Sequence, residues 1–237
     1  MPLERAEEAR AEWLERFPEG FEERTVASEL ELIAYGDGDA PPGARVEDFP
    51  SGWEERWRGF HRPVRVGPLW IGPPWARPPS ETVPVVIDPG RAFGTGTHAS
   101  TRLCLELVAE LEPSSLLDVG CGSGVIAIAA ALLGFAPVVA IDVDPAAVDA
   151  TRRNAGANGV ALDVRQIDLS TARLPTADVA VANISLVQVE LLVARVDAHM
   201  VVMSGYLERD EPRAPGYERR ERRVDDGWAA DLFERAE

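Results

Sequence analysis

Three glycines at every second position, Gly120, Gly122 and Gly124, interrupt the stretch SLLDVGCGSG over Ser115–Gly124. Main chain without Cβ atoms is what a protein needs where a ligand must approach the backbone closely. An acid, Asp142, follows Gly120 by 22 residues, a spacing that lets its carboxylate accept from both hydroxyls of a ribose. These residues fit a nucleoside-containing ligand, and two details narrow its kind. A dinucleotide turn, G-x-G-x-x-G, requires glycine at position 125, where this chain has Val125. Asp118, two residues before Gly120, suits a ligand ammonium and sits poorly beside a pyrophosphate. Both favour S-adenosylmethionine over a dinucleotide.

The elements that must position these groups follow from the hydrophobic pattern. Leu116–Val119 reads as a buried strand, and Val125–Leu133, apolar on all sides, as a helix packed against a sheet. Pro137–Val143 is a β-branched strand ending near Asp142, followed by Asp144-Pro145 as helix cap and first turn. Strands are expected over 163–168, 178–184 and 199–207, with a helix near 187–196, and 217–224 with 228–234 as a closing hairpin. Upstream, Thr82–Ile87 reads as a strand. The loop FGTGTH over Phe93–His98 then opens a helix running from Ala99 to Leu111. Free N–H groups at that helix start favour an anionic ligand group, and His98 fits a cap or a packing role better than a general base. This alternation predicts an α/β fold, a mostly parallel Rossmann-like sheet with an antiparallel hairpin at one edge. Residues 1–50 are expected to form a small acidic α+β domain, with a helix over Leu3–Phe17 and a hairpin over 21–35. Residues 51–80 read as a linker with a helix over Gly52–Phe60, two brief strands around Gly67-Pro68 and a proline-stiffened extension, and 81–237 as the ligand-binding domain.

Composition removes several classes of function. All 24 basic residues are arginine, so a P-loop lysine, a Schiff base and a pyridoxal-phosphate site are impossible. The net charge of −16 is concentrated in residues 1–55, with 16 acidic side chains against 5 arginines. Stable nucleic-acid binding is disfavoured, and a basic protein partner is favoured. Two cysteines, Cys104 and Cys121, offer neither a disulfide framework nor a zinc spacing, and no metal site is expected. No apolar run reaches the roughly 18 residues of a membrane span, and the charged start is no signal peptide; a cytoplasmic monomer is expected.

The blocks LLDVGCGSGVIAIAA and AIDVDP resemble the first two motifs of class I methyltransferases. IDPGRAFGTGTHASTRLCL followed at a distance by VANI resembles, more narrowly, the ribosomal protein L11 methyltransferase family. The resemblance covers about residues 52–237. It implies methylation of amino groups on ribosomal protein L11, S-adenosylmethionine as cofactor, and cofactor contacts at Thr101, Gly120, Asp142 and Asn183. Phe93 and Thr95 of the FGTGTH loop, Asp118, Gly122 and Gly124 complete the expected cofactor site. Asp168, ending the third strand, is placed to accept from the adenine amino group or simply to be solvated. Asn183 is the expected catalytic residue, receiving an N–H from the acceptor amine and aligning it with the methyl group. The chain departs from the family pattern at Ala99-Ser100-Thr101, at Ser185-Leu186 and in an N-terminal domain that reads as shortened by its first strand. Methylation of a nucleic-acid base or small amine, and a non-catalytic module that keeps the fold, are the competing readings.

Overall fold

The computed structural model describes residues 22–26, 29–33, 62–88 and 96–236, and the chain divides into two units, Met1–Trp53 and Glu54–Glu237. In the first unit β1 (Glu22–Val26) and β2 (Glu29–Ile33) pair antiparallel, with Val26 opposite Glu29 across a two-residue loop. That is the expected hairpin. The helices expected over Leu3–Phe17 and Gly52–Phe60 lie outside the described residues.

The first described elements of the second unit are β3 (Val64–Val66) and β4 (Leu69–Gly72), hinged at Gly67, which adopts a positive φ of 52°. β5 (Val83–Val86) joins β4 in parallel, with Leu69 opposite Val83. The domain boundary expected at residue 80 therefore runs through a three-stranded sheet. The prolines between β4 and β5 do not make a stiff extension. They form a returning connection, begun by a turn in which Ala76 N–H donates to the Pro73 carbonyl (3.0 Å).

The main sheet contains β6 (Leu116–Val119), β7 (Val138–Asp142), β8 (Asp163–Gln166), β9 (Val179–Asn183), β10 (Met200–Leu207), β11 (Tyr217–Asp225) and β12 (Trp228–Arg235). Their spatial order is β8-β7-β6-β9-β10-β12-β11. Pairings from β8 through β10 are parallel, and β12 runs antiparallel between β10 and β11. This is the expected sheet with its edge hairpin. Among the described residues four helices cover it: α1 (Ala99–Glu110), α2 (Val125–Leu132), α3 (Pro145–Ala157) and α4 (Leu186–Val193).

Strands with helices on both faces bury every residue, which is why β6 and β9 show no polar alternation. Leu116 and Val181 enter one core with Leu103 and Leu107 of α1 and Ile128 of α2. Leu117, Val119 and Ala180 enter the other with Val189 and Leu192 of α4. The chain moves outward from β6 through β7 to β8, then returns to the other side of β6 as β9. The crevice beyond the ends of β6 and β9 is thus the switch point of the sheet, where ligands of such folds bind.

β10 bends beside that crevice. Its register against β12 shifts between Ser204 and Tyr206, and Gly205 between them has a φ of 97°. A Cβ there would overlap the Ile184 carbonyl, because Ile184 N–H donates to the Ser204 carbonyl (3.2 Å). Gly205→Ala is therefore expected to cost more than the roughly 1–2 kcal/mol of left-handed strain alone. Gly67→Ala, with nothing within 4 Å of the added Cβ, is expected to cost only that strain. Urea unfolding of the two variants checks this.

Candidate active site

A cavity of about 700 Å³ occupies the switch point. Of the expected site residues, Thr101, Gly120, Gly122, Asp142, Asp168 and Asn183 line it. Asp118 and Gly124 do not, and Phe93 and Thr95 lie outside the described residues. Apolar wall comes from Val143 and Ile184, which lie in the AIDVDP and VANI blocks without having been expected as site residues, and from Ile167, Leu169 and Leu191, which lie outside every quoted motif. A smaller groove of about 360 Å³ lies at the opposite, N-terminal ends of the strands. There Asp178 accepts the Ser115 N–H and hydroxyl, and Arg235 pairs with Asp197.

The glycine loop is shaped by close approaches on two sides. Gly120, Gly122 and Gly124 all have positive φ, 74°, 56° and 84°. The amides of Gly120 and Cys121 both donate to the Ile141 carbonyl (2.9 and 3.0 Å), tucking the loop under β7. A Cβ at Gly120 would strike the Ile184 side chain. One at Gly124 would lie 2.8 Å from the Thr151 methyl. Gly124 thus serves the approach of α3 to α2, while Gly120 and Gly122 present bare backbone to the cavity.

Asp142 is held by that same loop. One carboxylate oxygen accepts Gly122 N–H and the other accepts Asp144 N–H, each at 3.0 Å. Each oxygen keeps a second acceptor position, the arrangement a vicinal diol can use. Asp168 lies two residues beyond the end of β8, which stops at Gln166 rather than running to 168 as expected. Its Oδ1 accepts both the amide (2.7 Å) and the hydroxyl (2.6 Å) of Ser170. The Ser170 hydroxyl and then its amide hold this carboxyl below the usual range.

Across the cavity Asn183, the last residue of β9, donates from Nδ2 to the Thr101 hydroxyl (3.0 Å). Thr101 is 1% exposed on the first turn of α1, so it fixes the amide with Oδ1 turned away as an acceptor. His98 caps α1: its Nδ1 accepts Ser100 N–H (3.3 Å), and its carbonyl takes the amides of Thr101 and Arg102 (each 3.1 Å). Those three N–H groups are therefore engaged within the protein. The His98 ring meets Trp228 edge-on at 4.6 Å, and Arg102 bonds both the Thr97 carbonyl and Asp225. The tip of the β11–β12 hairpin thereby pins the start of α1. A capping box, Ser185 with Gln188, starts α4, and its S-x-x-Q spacing was legible as a signal in the sequence.

Strand order, antiparallel β12 and a glycine-walled cavity at the switch point define the class I methyltransferase fold. A solved ribosomal protein L11 methylase from Lactobacillus delbrueckii subsp. bulgaricus superposes with a TM-score of 0.66 at 26% identity, over 75% of this chain and all of that one. The model of the family "Ribosomal protein L11 methyltransferase (PrmA)" matches residues 24–228, and the chain belongs to that family. It is 52% identical over 168 residues to the ribosomal protein L11 methyltransferase of Symbiobacterium thermophilum, covering 68% of this chain and 54% of that protein. The corresponding Pseudomonas fluorescens protein is 44% identical over 174 residues, covering 71% and 59%. The chain thus spans little more than half the length of these relatives.

Asp118 departs furthest from expectation. It is 1% exposed and alternates with Leu117 and Val119 onto the face covered by α2. There its Oδ2 accepts Ala127 N–H (3.1 Å), serving an orphan amide of the helix start rather than the cavity wall. Burial pushes its carboxyl up to about 7, against the pull of that hydrogen bond. A raised carboxyl pKa means that the folded state holds a proton the unfolded chain releases near pH 4, so stability falls as pH rises from about 4 to 7. Asp118→Asn keeps the acceptor and removes the titration. Its stability relative to the parent is expected to rise between pH 5 and pH 8, by on the order of 3 kcal/mol. Paired unfolding curves at the two pH values test it.

Proposed function

We propose that this chain is an S-adenosylmethionine-dependent N-methyltransferase acting on amino groups of ribosomal protein L11. Family membership and the activity for which its relatives are named support the reaction and the acceptor. The observation that carries the reading is the Asn183–Thr101 hydrogen bond facing the Asp142-bearing glycine loop across one cavity. The chain's residues fit the cofactor. Asp142 has acceptor positions for a ribose diol, Gly120 and Gly122 let the main chain approach, and Val143, Ile167 and Leu169 offer apolar walls for a base. A volume of about 700 Å³ falls within the range of small-molecule sites.

When bound, the cofactor supplies an electrophilic methyl group on a sulfonium. What the chain must add is mostly orientation, which alone can lower such a barrier by several kcal/mol. Thr101 holds the Asn183 amide, and Asn183 Oδ1 accepts an N–H of the neutral acceptor amine and directs its lone pair. A lysine amine must first lose a proton, which costs about 4–5 kcal/mol at pH 7, whereas an α-amino group costs only about 1 kcal/mol. The acidic balance of residues 1–55 suits a basic protein acceptor. A ribosomal acceptor fits a cytoplasmic enzyme. Among the described residues no helix is long and apolar enough to cross a membrane.

The test is incubation with labelled S-adenosylmethionine and purified ribosomal proteins, followed by mass mapping. Label on ribosomal protein L11 is expected; label only on RNA or a small amine would overturn the proposal. Asn183→Ala is expected to stay folded, by circular dichroism, and to lose methyl transfer at least tenfold.

A further inference from the structure

α3 carries a line of polar side chains on its inward side. Thr151 is fully buried and donates from its hydroxyl to the Gly122 carbonyl (3.0 Å). Asn154 is 3% exposed and donates from Nδ2 to the Ser123 carbonyl (2.8 Å), while its Oδ1 accepts the Asp88 N–H (3.1 Å). One turn on, Asn158 pairs with the backbone of Val86 in both directions, Oδ1 accepting its N–H (2.8 Å) and Nδ2 donating to its carbonyl (2.6 Å). The spacing 151, 154, 158 puts all three on one helix face. An asparagine side chain there imitates a strand partner, so β5 gains hydrogen bonds from a helix.

Of these residues only Asn154 touches both the glycine loop and the chain leaving β5. A primary amide is suited to this, since it donates on one side and accepts on the other. Neither Ala nor Leu could make both bonds, and the one to the Ser123 carbonyl is buried, where a lost hydrogen bond is costly. Asn154 lies outside the set of cavity-lining residues, so any effect on ligand must pass through the loop it holds.

We infer that Asn154 is a positioning residue for the ligand-binding loop, locking Ser123 to Asp88 so that Gly120 and Gly122 present their backbone in one fixed arrangement. Asn158 anchors β5 without touching the glycine loop and is the internal control. The inference leans on the methyltransferase reading only for the identity of the probe.

Two measurements on the full chain test it. In ligand-free protein, Asn154→Ala is expected to speed amide hydrogen exchange at least tenfold across residues 119–124, and Asn158→Ala to leave that segment unchanged while loosening β5. By calorimetry, Asn154→Ala is expected to bind S-adenosylhomocysteine at least fivefold more weakly than the parent, and Asn158→Ala within twofold of it. Equal exchange in 119–124 for the two variants, or equal affinity, would overturn the inference. Should Asn154→Ala not fold, Asn154→Ser, which keeps one small polar group, is read in the same way with smaller changes. Failure of the parent itself to bind S-adenosylhomocysteine would count against the methyltransferase reading, and the exchange comparison would then decide the role of Asn154 alone.

Discussion

Ile184 leaves the sheet through a gap that admits no further atoms. Its side chain lies where a Cβ on Gly120 would be, and its carbonyl lies where a Cβ on Gly205 would be. The parallel strands β6 and β9 end side by side at this point, where β10 bends at Gly205 and continues along β12, and the three courses must diverge within one or two residues. Two glycines in left-handed conformations make the divergence possible. Everything at the site depends on that crossing. It sets the height of the glycine loop, it directs the chain from Asn183 into α4, and it separates the two walls of the cavity. A protein interior is packed closely enough that a displaced methyl group must be accommodated somewhere. Here the residue that would have to move is Ile184, which lines the cavity.

The loop itself is held by hydrogen bonds rather than by apolar contact. Asp142 takes the amide of Gly122, Asp118 takes that of Ala127, and the carbonyls of Gly122 and Ser123 are taken by α3. Glycine gives up more conformational freedom on folding than any other residue, so a loop with three of them needs such partners to adopt one shape. Preorganisation matters more than usual for a reaction whose catalysis is chiefly orientation. The carboxylates the sequence offers as ligand contacts therefore divide into two kinds. Asp142 faces the cavity and supports the loop as well, whereas Asp118 only supports.

Most of the sheet was legible because period and punctuation agreed. The run Val138–Asp142, Asp144-Pro145 as cap and first turn, and the hairpin at Asp225–Trp228 each carry their signal within a few residues. What escaped was non-local. Whether Asp118 points toward a ligand or toward a helix is a question of which sheet face α2 covers, and a strand's own residues do not state that. β5 has the composition of any short strand, and only its pairing with β4 shows that it belongs to a different sheet from β6. The prolines after β4 fix local dihedrals but not the direction in which the chain returns. Asn154 and Asn158 sit in a helix as unremarkable polar residues until their partners, more than 30 residues away, are known.

The pinning of α1 by the β11–β12 hairpin reaches across most of the second unit in sequence. Arg102 and Asp225 are 123 residues apart, and β12 has to slot between β10 and β11 after both have been synthesised. A chain emerging from the ribosome displays the glycine loop, Asp142 and Asn183 long before it displays Trp228. Until β12 arrives, β10 lacks its antiparallel neighbour, and the helix bearing Thr101 lacks its contacts with Asp225 and Trp228. Order of synthesis thus leaves the seating of α1 and the cover of β10 to a strand made well after the residues they support.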